Sequence, residues 1–566
     1  MRKIIPLMSA ALLLLCATNS NAQRYEEEVF DYDELVIQTD ITYGTNIDFL
    51  TSDFSDNAQT QADLTEIQTA IAMGNPIPAE YYNPADATTN VKVTDIKYDL
   101  YMPDPEIDDV TERPVIIYVH TGNFLPPIIN GGITGSKNDS AAVNLCRQWA
   151  KRGFVAISMD YRKGWNPISP DPDVRRGTLL NAVYRAIQDN KQMVRVLREE
   201  ADNGNPKAID ANKVALYGQG SGGYVVCAYM SLDQEAELNL DKFIDSNTGM
   251  SYVNTDQVGE INGLGGALNL YQDNGYTSEI QFSANAGGAL ADNSWLQGGE
   301  NPHVALHCVR DPFAPFGTGD VIVPTTNEVV VEVDGSNVFI QEMNDLGNND
   351  VFASFPQDND PYTQRARSLY GETVDYIYPA PNDEITINSD PEGLFPFMLP
   401  INETNVFLNE GHPWDWWDFE TLEAYVDQLN AATGSDYNAT QIHQQALAGN
   451  PGMGPDKGLA YIDTIQGYMI PRMLLSMDIP LSLDETEKEI YGMTVYPNPS
   501  IDQLTITCEG LMEEMVIYNT LGAIVAREQL SSTRSKQISI ADLESGLYTV
   551  RIKAGDSYIS RKFLKK

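Results

Sequence analysis

The chain has 566 residues, 36 of them Lys or Arg and 80 Asp or Glu, a formal net charge of −44. This length exceeds one ordinary domain and predicts two or three, each able to bury a core. Residues 23–492 hold nearly all the imbalance, 25 basic against 72 acidic side chains, while Met493 to Lys566 is balanced at nine against eight. Such an acidic surface repels phosphate and anionic lipid, so nucleic acid is excluded as a partner.

At the start, Arg2 and Lys3 precede an apolar run from Ile4 to Cys16 and then Ser20-Asn21-Ala22. This is the pattern of a secretory signal over residues 1–22, with a mature chain beginning near Gln23. The run is too short to span a bilayer, and no later segment reaches about 18 uninterrupted apolar residues. A lipoprotein acylated at Cys16 would want a small residue where Leu15 stands, so cleavage after Ala22 is the preferred reading. Residues 23–90 read as an acidic, Tyr-containing N-terminal extension. Cys146, Cys227, Cys308 and Cys508 are far apart with no CxxC pair, which predicts buried thiols and no structural zinc.

From 91 to about 485, apolar strand-like runs alternate with helical stretches, as in a mostly parallel sheet covered on both faces. The clearest strands are Val115–His120, Val155–Met159, Val214–Tyr217 and Val304–His307, and helical periods fit Ala141–Lys151, Leu179–Glu200 and Gly223–Leu232. Arg185 and Asp189 are four apart on one helical face and predict an ion pair. Ligands bind beyond the carboxyl ends of such strands, so the residues just after them are the candidates.

After the first strand comes His120-Thr-Gly-Asn-Phe124, and later Val214-Ala-Leu-Tyr-Gly-Gln-Gly-Ser-Gly-Gly223, a strand entering a glycine-rich turn and a helix. The first resembles the oxyanion loop and the second the nucleophile elbow, Gly-x-Ser-x-Gly, of secreted esterases and lipases of the α/β-hydrolase fold. By that resemblance Gly122 and Asn123 belong to the oxyanion site. Gly218 and Gly222 are the flanking glycines, and the nucleophile position is Gly220, which has no nucleophilic atom. Ser221 then matches the oxyanion donor through its backbone N–H. In a register shifted by one, Ser221 is the nucleophile and Gln219 crowds the flanking position. His307-Cys-Val-Arg-Asp-Pro-Phe-Ala-Pro315 resembles the segment that carries the family's acid, here Asp311. The chain order then calls for a later histidine. His412, in Glu410-Gly-His-Pro-Trp-Asp-Trp-Trp-Asp418 after the strand-like Asn405–Leu408, is preferred to His443 in a polar helical stretch.

The interval from Asp311 to His412 predicts an inserted lid at about 318–404, with a hairpin of Val329–Val333 and Val338–Gln341 joined by Asp334-Gly-Ser-Asn337. Trp414, Trp416 and Trp417 could stack on a sugar or an aromatic acyl group, but packing between lid and core is the preferred reading. Gln357-Asp-Asn-Asp360 is acidic but lacks EF-hand spacing and reads as a solvated loop, so neither a metal nor a cofactor is expected.

The last segment alternates in short runs, Met493–Tyr496, Gln503–Thr507, Met515–Tyr518, Gln537–Ile540 and Tyr548–Ile552, as in a small β-sandwich. Val495-Tyr-Pro-Asn-Pro499, Val516-Ile-Tyr-Asn-Thr-Leu-Gly522, Leu543-Glu-Ser-Gly-Leu-Tyr-Thr-Val550 and Lys562-Phe-Leu-Lys-Lys566 resemble the C-terminal sorting domain of type IX secretion in Gram-negative bacteria. That resemblance implies export through the periplasm, recognition by the outer-membrane secretion machinery, and a secreted or surface-held product.

The expected architecture is therefore α/β, an α/β-hydrolase fold over 91–485 with a lid, plus an all-β sandwich over 493–566. Two functions follow. One is a carboxylic-ester hydrolase using Ser221, His412 and Asp311 on a small-molecule ester. The other is a catalytically silent relative, with Gly220 at its apex, that binds a small ligand or a surface polymer.

Overall fold

Residues 115–119 are all buried, because a parallel strand covered by helices on both faces has no solvent side to demand polar alternation. In the computed structural model this strand lies inside an eight-stranded sheet. The structure describes residues 24–130, 132–322, 329–355, 360–377, 383–389, 392–481, 493–497, 500–519, 524–541, 543, 545–554 and 557–566. The expected signal peptide lies outside them, as does all of the 357–360 cluster except Asp360, whose side chain caps the helix Pro361–Arg367. Two compact units result, Arg24–Pro480 and the C-terminal unit from Leu481 onward. No helix among the described residues is long and apolar enough to cross a membrane.

Numbering the main sheet along the chain, its strands are β1 (Leu35–Ile47), β2 (Val93–Pro103), β3 (Arg113–Val119), β4 (Val155–Met159), β5 (Ile209–Gln219), β6 (Phe282–Ala286), β7 (His303–Cys308) and β8 (Leu394–Phe397). Their spatial order is β1-β2-β4-β3-β5-β6-β7-β8. The β1–β2 and β2–β4 pairs are antiparallel and the rest parallel. This mixed sheet with helical crossovers is the α/β-hydrolase architecture. Helices of ten residues or more in this unit are α1 (Asn57–Ala72), α2 (Ser140–Lys151), α3 (Pro172–Asp202), α4 (Ser221–Ser231), α5 (Ser336–Asp345), α6 (Phe419–Thr433), α7 (Ala439–Gly449) and α8 (Pro455–Ser476). Asp171 caps α3 by accepting from Asp173 N–H, and Pro172 occupies the first turn, where its missing donor costs nothing.

Register builds the site. Val119 of β3 pairs with Gly218 of β5, and Gly218 pairs in turn with Asn285 of β6. Thr121 and Gly220, each two residues further on, therefore leave the same sheet edge side by side, with Gly287 next to them.

Four expectations change. The stretch 23–90 is not a free extension, since β1 is the sheet's first strand and α1 packs Leu64 and Ile67 against Ile47, Val91 and Val93. The interval 318–404 is more than a lid, because it returns to the sheet as β8, with Leu394 opposite Ala305. The second half of the expected hairpin is α5. Phe339, Ile340 and Met343 bury one face at helical spacing, and Gly335 stays in the strand, where a side chain would run into the Pro315 carbonyl. Its first half holds as strand Val329–Gly335, paired with Thr318–Ile322 and Ala289–Leu290. The strand expected at Asn405–Leu408 is a single 3-10 turn, Val406–Leu408, started by the Asn405 side chain accepting from Phe407 N–H.

The predicted Arg185–Asp189 pair does not form either. Asp189 turns to Arg162, while Arg185 donates to the Gly164 carbonyl and lies 3.7 Å above the Phe49 ring. Burial pulls the Arg185 guanidinium down to about 9, with Arg162 adding repulsion. Cys146, Cys227 and Cys308 are buried thiols.

The C-terminal unit is an antiparallel β-sandwich. Two of its predicted runs are one strand, Gln503–Asn519, shifted in register between Thr507 and Met512. Its first half pairs with Thr494–Tyr496 and its second with Gly546–Ala554, so one strand serves both layers, with Ile524–Ser539 on its other edge. Ser557–Lys565, too polar to read as a strand, completes the sheet against Gly546–Ala554. Leu504, Ile506, Val550 and Phe563 are fully buried in its core.

Candidate active site

The turn from β5 into α4 has Gly220 at its apex, with φ +54° and ψ −119°. A Cβ at Gly218 would collide with the Gly222 carbonyl, and one at Gly222 with the carbonyls of Val119 and His120. Those two positions are thus the obligatory small residues of the turn, and the residue between Gln219 and Ser221 is the apex. Gln219 points away, its amide buried between Tyr118 and Asp415: Tyr118 Oη donates to Oε1 at 2.6 Å and Nε2 donates to Asp415 Oδ1 at 2.6 Å.

A Cβ at Gly220 would sit 3.3 Å from His412 Nε2 and 3.0 Å from Thr121 Cβ, with the Thr121 hydroxyl oxygen nearer still. The apex position, its histidine and a threonine hydroxyl therefore converge on one point. Asp311 follows β7. Its Oδ1 accepts from the backbone N–H groups of Phe313 at 2.8 Å and Ala314 at 3.1 Å, which fixes the carboxylate. Its Oδ2 lies 3.9 Å from His412 Nε2. Both of these atoms are buried and lack a hydrogen-bond partner among the described residues. Gly287 and Gly411 pass so close that a side chain on either would crowd Asp311.

Ser221 begins α4. Its hydroxyl oxygen accepts from Asn123 N–H at 3.0 Å. The oxyanion-loop donor is thus engaged by a side chain, and the serine hydroxyl faces the loop. Asn123 and Phe124 have φ of +51° and +58° and Gly122 +114°, a loop held in a sparsely populated conformation. Trp165 Nε1 donates to the Asn123 carbonyl at 2.7 Å, and Gly164 N–H to that of Phe124 at 2.8 Å. His443 stands elsewhere, between Trp417 and Phe419. Trp414 is fully buried beside Phe397, and Trp416 packs on Gly458, so these rings serve packing.

Beneath the apex opens a cavity of about 340 Å³. Leu179, Val183 and Ile187 of α3, Ala228 of α4, and Val331 and Val333 of the strand after β7 give it an apolar wall. Its polar end holds Thr121, Gly220, Ser221, His412 and Asp415. No Lys or Arg is among its described lining residues.

Asp415 is the feature that motif reading passed over. Burial pushes its carboxyl from 3.8 up to about 7, with His412 opposing and Asp139 reinforcing the rise. Between those two values the native state holds a proton that the unfolded chain has lost, so stability falls as pH rises and levels off above 7. The expected loss is about 2 kcal/mol between pH 5 and pH 7. Asp415→Asn keeps an oxygen for Gln219 and should flatten that slope, as read from thermal melts across the interval. An unchanged slope would show that another group carries it.

With the geometry in place, comparison with known proteins gives the class. Residues 98–294 match the BD-FAE family model, and residues 494–566 match the secretion system C-terminal sorting domain. The first unit is an esterase-like α/β-hydrolase, and the second is a type IX sorting domain that sends the protein to the cell surface or beyond. Among solved structures, esterase 2 of Thermogutta terrifontis phosphorylated by paraoxon aligns with 16% identity over 39% of this chain and 69% of its own, at a TM-score of 0.27. Its propionate-bound form aligns alike, over 70% of its length. Among curated proteins, the ulvan lyase NLR42 of Nonlabens ulvanivorans is 30% identical over 80 residues, 14% of this chain and 15% of that protein's length.

Proposed function

We propose that the exported protein binds a neutral carboxylic ester with an apolar body in the cleft beneath Gly220, and that no acyl-serine forms there. The observation that carries this reading is the apex itself, a strained backbone with no side chain, lying under His412 Nε2. Ser221 is one residue beyond the apex, and its oxygen is engaged by Asn123. The apolar wall supports a hydrocarbon or aromatic body. The absence of a described cation in the lining, together with Asp415, supports a neutral head over a carboxylate.

Titration of the purified protein with p-nitrophenyl esters of rising acyl length tests the first half, because Trp165 and Trp295 line the cavity and their fluorescence should respond. Val183→Trp, which fills the wall, is expected to weaken that response at least tenfold. A fluorophosphonate probe tests the second half. A serine adduct at Ser221 that disappears in Ser221→Ala would overturn it.

A further inference from the structure

Thr121 has no role in the reading above, yet its hydroxyl occupies the space that an apex nucleophile would fill. We propose that Thr121 is the nucleophile of this site, its Oγ1 attacking the carbonyl carbon of an ester bound in the cleft, with His412 as the base. The proposal rests on the ester-binding reading and adds chemistry to it.

Four observations lead here. The Thr121 hydroxyl oxygen lies closer than 3.0 Å to the Cβ that Gly220 lacks, and His412 Nε2 lies 3.3 Å from the same point. Thr121 lines the cavity. His412 Nε2 and Asp311 Oδ2 are buried without partners among the described residues, Thr121 Oγ1 included, so Nε2 is free to take a proton, and the arrangement costs stability unless a bound ester completes it. Finally, the threonine is held rigidly. Tyr161 Oη donates to the His120 carbonyl at 2.9 Å and to that of Thr121 at 3.3 Å, and the His120 Nδ1 also meets the Thr121 carbonyl. His120 stacks on Tyr161 at 4.3 Å, and its Nε2 lies 3.3 Å from Asp160. Burial works against the Asp160 carboxylate, but the His120 hydrogen bond and the Lys163 charge outweigh it and hold that group well below the usual range. A nucleophile needs this kind of support to stay within a fraction of an ångström of its base.

The chemistry balances without a further reagent. As Oγ1 bonds to the carbonyl carbon, its proton passes to His412 Nε2. The carbonyl electrons move to oxygen at the N-terminal end of α4, where first-turn N–H groups and the helix dipole favour negative charge. Collapse of the intermediate breaks the ester C–O bond, and the alkoxide takes the proton from His412 and leaves as the alcohol. Water, deprotonated by His412, then attacks the acyl-threonine and releases the carboxylic acid with Thr121 restored. The absence of Lys and Arg among the described lining residues favours departure of that acid. Thr121 stands beside the Gly220 apex because the β3 and β5 ends run side by side.

The full chain incubated with p-nitrophenyl octanoate, quenched in acid and digested, is expected to show an acyl adduct on the peptide holding Thr121. Thr121→Val, nearly equal in volume, should reduce turnover at least about a hundredfold, while Thr121→Ser, which keeps the hydroxyl, should lose less than tenfold. Tryptophan fluorescence should show both variants still binding the ester. Turnover surviving in Thr121→Val, or an adduct mapped elsewhere, would overturn the proposal. Binding by the wild type with neither adduct nor turnover would also sink it while leaving the ester-binding reading intact. No binding at all would sink both.

Discussion

Gly220→Ser combined with Thr121→Gly is expected to hydrolyse p-nitrophenyl butyrate at least about a hundredfold faster than Thr121→Gly alone, the scale of a positioned general base. Gly220→Ser by itself should gain nothing. The backbone at residue 220 already holds the apex conformation, φ +54° and ψ −119°, so a serine there meets the strain of about 1–3 kcal/mol common to such positions and no new rearrangement. Its Cβ would stand 3.3 Å from His412 Nε2, which brings a hydroxyl within reach of the base. In the single variant the same Cβ would overlap the Thr121 hydroxyl, so either the oxyanion loop shifts or the serine turns away. Removing the threonine side chain opens the space. Initial rates and the position of a fluorophosphonate adduct measure the outcome. A double variant that binds the ester but remains silent would mean that Asp311 and His412, 3.9 Å apart, are not disposed to activate any hydroxyl.

β3, β4, the Val214–Tyr217 part of β5 and β7 were legible because those residues are buried on both faces and read as short apolar runs, whereas β2 and β6, Phe-Ser-Ala-Asn-Ala, carry polar residues that hide them. β1 was hidden for the opposite reason. It is a half-exposed edge strand, Leu-Val-Ile-Gln-Thr-Asp-Ile-Thr-Tyr-Gly-Thr-Asn-Ile, whose register shifts after Gln38 and Thr42 break the alternation that would announce it. β8 has four residues, two of them Phe and one Pro, and its place is fixed by pairing with β7, a tertiary fact. In α5 a local turn signal, Asp-Gly-Ser-Asn, lost to the helical spacing of the apolar residues behind it.

At the site, the apex register was expected from the resemblance to the glycine-flanked elbow, and in the fold a side chain at Gly218 or Gly222 would meet backbone carbonyls. Asp311 and His412 were readable by chain order, and the fold brings them within 3.9 Å of each other. Thr121 was not singled out, because its relevance comes from the Val119–Gly218 register, which sets two strand ends side by side. The one available signal was its place just beyond the carboxyl end of a central strand, where ligands gather. Asp415 lies three residues after His412 in the Glu410–Asp418 segment. Only its burial against Gln219 and beside His412 reveals the perturbed carboxyl.

Asp189→Ala is expected to cost about 3–5 kcal/mol, the usual penalty for removing one member of a buried ion pair. Arg162 and Asp189 are 1% and 0% exposed, with Nε to Oδ1 at 2.8 Å. The same carboxylate accepts from Arg162 N–H at 2.6 Å and from Tyr271 Oη at 2.8 Å, so alanine would leave a buried cation, a backbone donor and a phenol without their acceptor. Replacing both charges, as Asp189→Leu with Arg162→Met, should recover most of the loss but not all of it, because the residue 162 N–H stays unsatisfied. Thermal and urea unfolding followed by tryptophan fluorescence would measure this. A loss under about 1 kcal/mol in Asp189→Ala would mean that water replaces the carboxylate and that the pair is not sealed. The consequence reaches the cleft, because Arg162 follows Tyr161, the residue whose hydroxyl holds the His120 and Thr121 carbonyls. Loosening this anchor should therefore weaken ester binding or turnover in the fraction that remains folded, a loss that Asp189→Leu with Arg162→Met should repair only as far as it restores the position of Tyr161.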